Sequence, residues 1–377
     1  MNLMILGAAA FCMLGALVHL VSIPAVVWRV RRRGSESPAA VLDEGVSIVR
    51  PVCGLENFAE ATLTSAFGLE GAPYEIIFCV AHGNDPVVPL VRHLIDTHPG
   101  VPARLLIGND PISTNPKLNN LVKGWDAAIY PWVVMADSNV LLPRDLIPRM
   151  MARWLPGTGL VCTPPLGCAP DGIWAELECT FLNTYQARWQ ICADNIGFGF
   201  AQGKTMLWRK GILESAGGIR ALAAEVAEDA AATKLLRKRG LRVRLVDDPF
   251  LQPLGHRNAI EVWNRQLRWA RLRRASFRSF YLPEVLAGGV PPLAACAIFA
   301  AAADWPAAST AGVFATLWYA AEALLAYAAG WHMSWRSPLL WLTRDLMLPV
   351  LWVASWVGSD FVWRGNAMRA AERGQAS

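Results

Sequence analysis

The pattern of apolar and polar residues divides the chain into three parts. Residues 3–27 are almost wholly apolar, and a helix of that length can cross a lipid bilayer. From residue 46 onwards, short apolar runs alternate with helical stretches of mixed polarity, and long apolar segments return in the last quarter. Alternating strands and helices are typical of βαβ units. We therefore predict an α/β domain with a parallel sheet, flanked by membrane segments.

The alternating region predicts a series of strands and helices. The strands are expected at residues 46–52, 75–81, 103–107, 132–136, 159–163, 204–209 and 242–246. The helices are expected at residues 58–67, 88–97, 117–128, 145–154, 174–190 and 227–239. The run 132–136 is so short and so apolar that it should be buried on both faces, as in the centre of a parallel sheet.

The chain after residue 260 is predicted to associate with a membrane. Arginine and tryptophan are interleaved across residues 262–278, which is typical of a helix lying in the plane of an anionic membrane surface. Three apolar segments follow at residues 286–303, 307–330 and 339–358. The predicted division is a membrane anchor with a basic flank (1–33), the α/β domain (45–260), an interfacial helix (261–284), membrane segments (285–360) and a polar tail (361–377).

Charge placement predicts the orientation in the membrane. Four of the five residues at positions 29–33 are arginines, and such a flank marks the cytoplasmic side. A cleaved signal peptide carries its charges before the apolar run, so we predict a retained anchor and a cytoplasmic α/β domain. Three full C-terminal spans would put the tail outside, whereas its arginines favour the inside. Pro291-Pro292 make the first of the three segments the expected exception.

Composition excludes an ordinary soluble protein. Of the 377 residues, 54% are hydrophobic and 17% are charged, mean hydropathy is +0.30, and there are 17 tryptophans, which favour membrane interfaces. The eight cysteines lack a Cys-x-x-Cys pair, which indicates reduced core thiols, with neither a disulfide framework nor a zinc site. The sequence shows no nucleic-acid motif. We expect an integral membrane protein of a bacterial inner membrane.

An aspartate directly follows the most apolar predicted strand. In open α/β sheets ligands bind beyond the carboxyl ends of the strands, which is where Asp137 lies. Mg²⁺ takes one or two carboxylates together with substrate phosphates, so we hypothesise that Asp137 helps to hold a metal–nucleotide diphosphate. The competing interpretation is that Asp137 closes a turn or caps a helix starting near Pro143.

Other residues carry candidate chemistry, each with a structural alternative. Asp85 could accept hydrogen bonds from a nucleobase or ribose, although its Gly-Asn-Asp-Pro context also predicts a plain turn. Lys117 opens a helix, where a point charge and free backbone donors suit phosphate, although a solvated lysine fits too. Asp229, beside Glu228 in a first helical turn, either complements the helix dipole or acts as a general base.

Two arginines of the 262–278 stretch also match a ligand. The guanidinium forks of Arg265 and Arg268 suit diphosphate oxygens. The alternative is a membrane-surface helix and nothing more, and both interpretations can hold together.

The order and spacing of these residues resemble the ceramide glucosyltransferase family, inverting membrane glycosyltransferases with the nucleotide-binding GT-A fold, which is Rossmann-like. The resemblance runs from about residue 46 to residue 363. It also includes Asn115-Pro116-Lys117 with Asn119-Asn120-Leu121, the stretch Gly203 to Lys210 (GKTMLWRK), Ala216-Gly217-Gly218-Ile219 and Trp363-Arg364.

The resemblance implies a role for each matched residue. Asp85 matches the first family aspartate, at the nucleotide; Asp137 matches the second, at the metal and diphosphate; Asp229 matches the third, the base. A further match is to the [Gln/Arg]-x-x-Arg-Trp signature, which binds diphosphate and closes over the acceptor. Its residues here are Arg265, Arg268 and Trp269.

The second aspartate position departs from the pattern of related enzymes. They often have Asp-x-Asp, and this chain has Asp137-Ser138-Asn139. Asn139 can still coordinate a metal through its carbonyl oxygen, but the second negative charge is missing.

The resemblance implies transfer of a hexose, expected to be glucose, from a UDP-sugar to a membrane lipid hydroxyl, with Mg²⁺ or Mn²⁺ as the expected cofactor. Ceramide is the expected acceptor, and diacylglycerol or a hopanoid alcohol could use the same chemistry. A polysaccharide synthase would normally need more membrane spans. A non-catalytic scaffold would not need Asp137, Asp229 and Arg268, so the presence of all three argues against that alternative.

One ion pair is predicted within the membrane segments. Glu322 lies midway along residues 307–330, where an ionisable group is costly and is usually paired or functional. Arg344, near the start of the next apolar segment, is its expected partner, as part of the structure and not of the chemistry.

Overall fold

The computed structural model describes residues 3–32, 43–363 and 366–370. The helices are α1 (Leu3–Arg31), α2 (Ala59–Thr64), α3 (Val88–Thr97), α4 (Pro116–Ala127), α5 (Leu146–Ala152), α6 (Ile173–Thr180), α7 (Arg188–Asn195), α8 (Lys210–Glu214), α9 (Glu228–Lys238), α10 (Ala259–Ser276), α11 (Arg278–Tyr281), α12 (Val290–Ala302), α13 (Ala307–Ala329) and α14 (Ser337–Trp356). The strands are β1 (Val46–Pro51), β2 (Tyr74–Val80), β3 (Ala103–Ile107), β4 (Trp132–Ala136), β5 (Thr158–Cys162), β6 (Pro165–Asp171), β7 (Thr205–Arg209), β8 (Arg242–Leu245), β9 (Phe250–His256), β10 (Asp360–Trp363) and β11 (Asn366–Arg369).

A seven-stranded sheet in the order β3-β2-β1-β4-β7-β5-β8 forms the centre of the α/β domain. The strands lie where the sequence predicts them, but the prediction of a wholly parallel sheet is wrong. β7 runs antiparallel to both of its neighbours, β4 and β5, while the other pairs are parallel. Apolar patterning reports that a strand is buried and does not report its direction, so the sequence could not reveal this reversal.

Helices cover both faces of this sheet. Every residue of β1 and β4 is buried, as expected for strands covered on both sides. The α3 and α5 helices pack on one face and contribute Val91 and Met150 to its core. The α4 and α9 helices cover the other face with Trp125 and Leu236. Because the strand order reverses between β1 and β4, their carboxyl ends border the crevice in which α/β folds bind ligands.

A second, two-stranded parallel sheet pairs β6 with β9, and the sequence analysis did not predict it. Both strands contain proline and glycine, and neither shows an alternating pattern. β9 ends two residues before Asn258, whose side chain forms a reciprocal capping box with Glu261 at the start of α10. The small sheet therefore fixes where α10 begins.

Among the residues that the structure describes, two helices are long and apolar enough to cross a bilayer, Ile5–Arg31 of α1 and Ala307–Ala329. A third span results if Arg278–Leu286 and Val290–Ala302, which meet at 45°, are counted as one. The bend agrees with the predicted exception in the first C-terminal segment. The α14 helix has 20 residues, but it buries Arg344 and Asp345 and is not among the helices apolar enough to span.

The C-terminal end of α1 is held against the α/β domain by ion pairs. Arg29 is only 3% exposed, and its guanidinium binds Asp194 at 2.6 Å and Asp247 at 2.9 Å. It also donates to the carbonyl oxygen of Leu245. The anchor and the domain are therefore packed together at this point.

The α10 helix packs on α14 and α6 with one side buried. Arg271 and Arg274 donate to backbone carbonyls at and beyond the end of α14. Arg273 binds the carboxylate of Glu284, and Arg278 lies over an aromatic ring while remaining exposed. Several of these arginines therefore have partners within the protein, which the composition of the helix does not record. The location of the helix at an anionic membrane surface stays a prediction.

The predicted polar tail contains an antiparallel hairpin of β10 and β11. Its Phe361, Val362 and Met368 face a cavity. Arg364 and the tail beyond residue 370, like most of the linker between α1 and β1, lie outside the described residues.

Candidate active site

A cavity of about 1130 Å³ opens beyond the carboxyl ends of the central strands. The α/β domain and α10 contribute a strongly charged wall to it. Membrane helices and the β10–β11 hairpin contribute an apolar wall, which includes Phe11, Leu14, Val18, Leu286, Pro292 and Phe361. A single space therefore joins ionisable groups to a surface suited to hydrocarbon.

Asp137 lies at the end of β4 and is held between two lysines. Its Oδ1 is 2.6 Å from the Nζ of Lys117, and its Oδ2 is 3.1 Å from the Nζ of Lys204. Burial alone would raise the pKa of Asp137, but the two ammonium charges outweigh burial and lower it to about 2. Asp137 is therefore a carboxylate at neutral pH, with both oxygens engaged.

Lys117 links Asp137 to the start of α9. It follows the N-cap Asn115, whose side chain accepts from the first backbone N–H groups of α4. Its Nζ is 2.7 Å from Glu228 Oε1 and donates to the carbonyl oxygen of Gly203 at 2.5 Å. Burial would lower the pKa of Lys117, but the two carboxylates raise it above its ordinary value. The lysine therefore stays charged.

Asp229 lies in the first turn of α9 and lines the same cavity. Its Oδ2 accepts from the backbone N–H of Gly203 at 3.0 Å, and its Oδ1 accepts from that of Ala230 at 2.8 Å. Burial and the adjacent charge of Glu228 raise the pKa of Asp229 to about 6, against the opposing effect of Lys117. A carboxylate with that pKa is basic enough to take a proton at neutral pH.

The turn Gly203-Lys204, which enters β7, holds these acids together. The N–H of Gly203 binds Asp229, its carbonyl binds Lys117, and the carbonyl of Lys204 accepts from the N–H of Asp137 at 2.9 Å. A Cβ added at Gly203 would lie 2.7 Å from Glu228 Oε1 and 3.2 Å from Lys117 Nζ. An alanine at this position would therefore require Glu228 or Lys117 to shift.

The α10 helix places Arg265, Arg268 and Trp269 in the cavity wall. Arg265 is paired with the fully buried carboxylate of Glu178 on α6, which also lies 3.4 Å from Arg257. Trp269 packs at the edge of the small core that α6 and β9 form. The structure thus brings together Lys117, Asp137, Asn139, Asp229, Arg265, Arg268 and Trp269.

Asp85 lies apart from this group and does not line the cavity. Its carboxylate accepts from the N–H groups of Gly54, at 2.9 and 3.1 Å, and Val87, at 2.9 Å. These bonds fix the loops after β1 and β2. The nucleotide role that the sequence implied for Asp85 stays a prediction.

The residues that were expected to hold a metal are bound to lysine. Lys204 Nζ contacts Asp137 Oδ2 and also donates to Asn139 Oδ1 at 3.1 Å, and Lys117 binds the remaining Asp137 oxygen. Over residues 3–32, 43–363 and 366–370, no group of three or more His, Cys, Asp or Glu side chains could hold a metal ion. Both Asp137 oxygens and the Asn139 carbonyl oxygen are thus engaged by ammonium groups, and a divalent ion could bind them only if a lysine moved away.

The sequence analysis missed several groups in this site. Lys204 was counted as part of a strand, Glu228 as a dipole complement, and Glu178 was not singled out. Lys204 lies 67 positions after Asp137 in the chain, and Glu228 lies further still from Asp137. Only the order of the strands in the folded sheet shows that these residues lie close together. The stretch GKTMLWRK, which carried part of the resemblance, was the available signal.

The chain is similar to known glycosyltransferases over most of its length. The model of glycosyl transferase family 21 matches residues 12–376. Ceramide glucosyltransferase 1 of Caenorhabditis elegans is 25% identical over 390 residues, covering 99% of this chain and 81% of the relative. The ceramide glucosyltransferase of Komagataella phaffii is 25% identical over 418 residues, covering 86% and 82%.

Among solved structures, the fold is similar to that of the mannosyltransferase PcManGT from Pyrobaculum calidifontis, in complex with GDP-Man and Mn²⁺. The TM-score is 0.54 at 19% identity, and the match covers 93% of this chain and 98% of that one. This likeness supports the GT-A assignment of the fold.

Proposed function

The chain belongs to glycosyl transferase family 21 and is a membrane glycosyltransferase, and on this premise we propose that it transfers glucose from UDP-glucose to ceramide. The observation that carries the proposal is the single cavity. It joins Asp229 and a set of cationic groups to the apolar wall formed by α1, α12 and the β10–β11 hairpin. A polar nucleotide-sugar and a lipid alcohol could meet there.

The proposed reaction inverts the configuration of the sugar. Asp229 takes the proton from the acceptor hydroxyl as the hydroxyl oxygen attacks the anomeric carbon from the face opposite the nucleotide. The bond between that carbon and the diphosphate breaks, and UDP leaves. The pKa of about 6 for Asp229 supports this role because the carboxylate is ionised at neutral pH and can accept a proton.

Cationic side chains stabilise the charge that grows on the leaving diphosphate. Arg268 lines the cavity and is proposed to contact diphosphate oxygens. Lys117 also lines the cavity, but its three N–H donors are engaged by Asp137, Glu228 and Gly203, so it is proposed to act through its charge. Arg265 is proposed to act beside them, oriented by Glu178. Trp269 is proposed to lie over the sugar or acceptor.

The proposed organisation follows the division expected from the sequence. The anchor, α/β domain, α10 region and membrane segments are the functional parts, and the domain faces the cytoplasm. The pairing of Arg29 with Asp194 supports that side, because it joins the domain to the positively flanked end of α1.

Acceptor and sugar are tested together in a reconstituted assay. The purified full chain in lipid nanodiscs receives UDP-glucose with ceramide, diacylglycerol or a hopanoid alcohol, and the lipid extract is analysed by mass spectrometry. We expect one hexose to be added to ceramide. If hexose were added only to one of the other lipids, that lipid would be the acceptor instead of ceramide. A soluble oligosaccharide product would indicate a polysaccharide synthase, which the family match does not favour.

A further inference from the structure

Lys204 occupies the position that a divalent cation would need. Its Nζ is 3.1 Å from Asp137 Oδ2 and 3.1 Å from Asn139 Oδ1, and the side chain is only 15% exposed. These are the oxygens that the Asp-Ser-Asn sequence offers to a metal. An ammonium group therefore bridges them in the manner of a bound cation.

The backbone fixes Lys204 in this place. Its carbonyl oxygen accepts from the N–H of Asp137, and the residue before it, Gly203, is bound to Lys117 and Asp229. Thr205, the residue after it, begins β7 and is fully buried. The side chain therefore starts from a rigid point beside β4, and little freedom is left for it to turn away.

Charge balance leaves Lys204 able to serve a ligand. Asp137 carries one negative charge and contacts two ammonium groups, of which Lys117 is also neutralised by Glu228. Lys204 has only Asp137 as a charged partner within 4 Å among the described residues. Asn139 engages it through a neutral oxygen. Its one remaining N–H donor can therefore bind a diphosphate oxygen, as an ammonium point charge does at other phosphate sites.

We propose that Lys204 is a built-in counter-cation for the donor diphosphate and replaces the divalent ion in this chain. The proposal rests on the proposed function, since it concerns the diphosphate of the nucleotide-sugar. Its consequence is that the donor binds without metal. A second consequence is that removal of the ammonium frees Asp137 Oδ2 and Asn139 Oδ1, two hard oxygen ligands, and so creates a metal requirement.

Nucleotide binding by the purified full chain in nanodiscs tests this proposal. The dissociation constant for UDP is measured by calorimetry with EDTA and again with Mn²⁺, for the parent, Lys204→Met, Lys204→Arg and the control Lys210→Met. Lys210 lies at the other end of β7, donates to the carbonyl of Ala128, and does not line the cavity.

We expect the parent and the Lys210→Met control to bind UDP equally well in both buffers. Lys204→Met should bind UDP roughly tenfold or more weakly with EDTA, because a charge-assisted contact is lost, and should recover with Mn²⁺. Lys204→Arg keeps a charge and should retain metal-free binding. Electron paramagnetic resonance should detect protein-bound Mn²⁺ with Lys204→Met and UDP, and not with the parent.

Two results would overturn the proposal. One is UDP binding by the parent only when Mn²⁺ is present. The other is metal-free UDP binding that Lys204→Met leaves unchanged. Running the same comparison with GDP separates this inference from the proposed donor. A parent that binds GDP and not UDP without metal, with the same dependence on Lys204, refutes UDP-glucose and supports Lys204. A parent that binds neither nucleotide in either buffer refutes both proposals.

Discussion

Arg344 of α14 donates two hydrogen bonds to Glu322 of α13, at 2.5 and 3.1 Å, and both side chains are almost completely buried. This ion pair was predicted from hydropathy alone and is confirmed. The structure adds a third charge, because Arg344 also donates to Asp345 at 2.7 and 2.9 Å. Arg344 is therefore shared between two buried carboxylates.

The shared pairing predicts unequal costs for removing its members. Arg344→Met removes the ion-pair partner of two buried carboxylates and should destabilise the folded protein by about 3–5 kcal/mol. Glu322→Gln should cost less, because Asp345 still neutralises Arg344. For the same reason a simple exchange of the two charges should not restore stability, since a glutamate at position 344 would face Asp345.

Thermal unfolding in detergent measures this order of stabilities. Arg336→Met is the matched control, because Arg336 pairs with Glu176 while being 41% exposed, and such pairs contribute only about 0–1 kcal/mol. If Arg344→Met and Arg336→Met lost equal stability, the buried cluster would contribute no more to folding than a partly exposed ion pair does.

Gly203→Ala should disable the site while leaving the fold intact. The added Cβ would press on Glu228 and Lys117 at the point where Asp229 is held, and displacement of reacting groups by about 1 Å can cost roughly a hundredfold in rate. Gly211→Ala is the control, since a Cβ there meets nothing within 4 Å. Steady-state rates measure the activity of both variants, and circular dichroism shows whether each variant is folded. Full activity in Gly203→Ala would mean that the turn does not position Asp229.

Protonation of Asp229 should make the rate of transfer fall at acidic pH, which gives the pH profile an acidic limb. Burial and Glu228 raise the pKa of the carboxyl to about 6, and a base acts only when ionised, so kcat/KM should rise as pH increases through about 6 and level off above it. Asp229→Asn should still bind UDP, lose about 10²–10⁴-fold in rate, and show no such limb.

Glu228 offers an independent check on that assignment. Glu228→Gln removes a negative charge that raises the pKa of Asp229, so the limb should move to lower pH. Glu225→Gln is the control, because Glu225 pairs with Lys234 and does not line the cavity. If the acidic limb of the pH profile stays in place in Glu228→Gln, the limb belongs to a group other than Asp229. If Asp229→Asn turns over within about tenfold of the parent, another group is the base.

The patterned parts of the fold and the ion pair of Glu322 with Arg344 were predictable, and the contacts that assemble the site were not. The run ending at Asp137 is short and uniformly apolar, which indicated a central strand and hence a ligand-binding edge. The reversal of β7 left no trace in its residues, so Lys204 could not be assigned to the same edge. Likewise, an Arg- and Trp-rich helix has one composition whether it faces lipid or, like α10, packs on α14.

Arg268→Lys should impair the enzyme although the charge is kept. A guanidinium can bind two diphosphate oxygens at once, and an ammonium cannot reproduce that fork. We expect a higher KM for the donor, a lower kcat, or both. Arg271→Lys on the same helix is the control, since Arg271 binds backbone carbonyls and does not line the cavity. Kinetic constants for Arg268→Lys equal to those of the parent would restrict Arg268 to contacts with lipid or solvent.

The anomeric configuration of the lipid product tests the proposed reaction, because one spectrum reports the reaction, the sugar and the stereochemistry. The purified chain is incubated with UDP-α-glucose and ceramide in nanodiscs, and the glycolipid is examined by proton nuclear magnetic resonance. We expect a β-linked glucosylceramide, formed by a single displacement with Asp229 as base. An α-linked product, or release of glucose to water without any glycolipid, would contradict it.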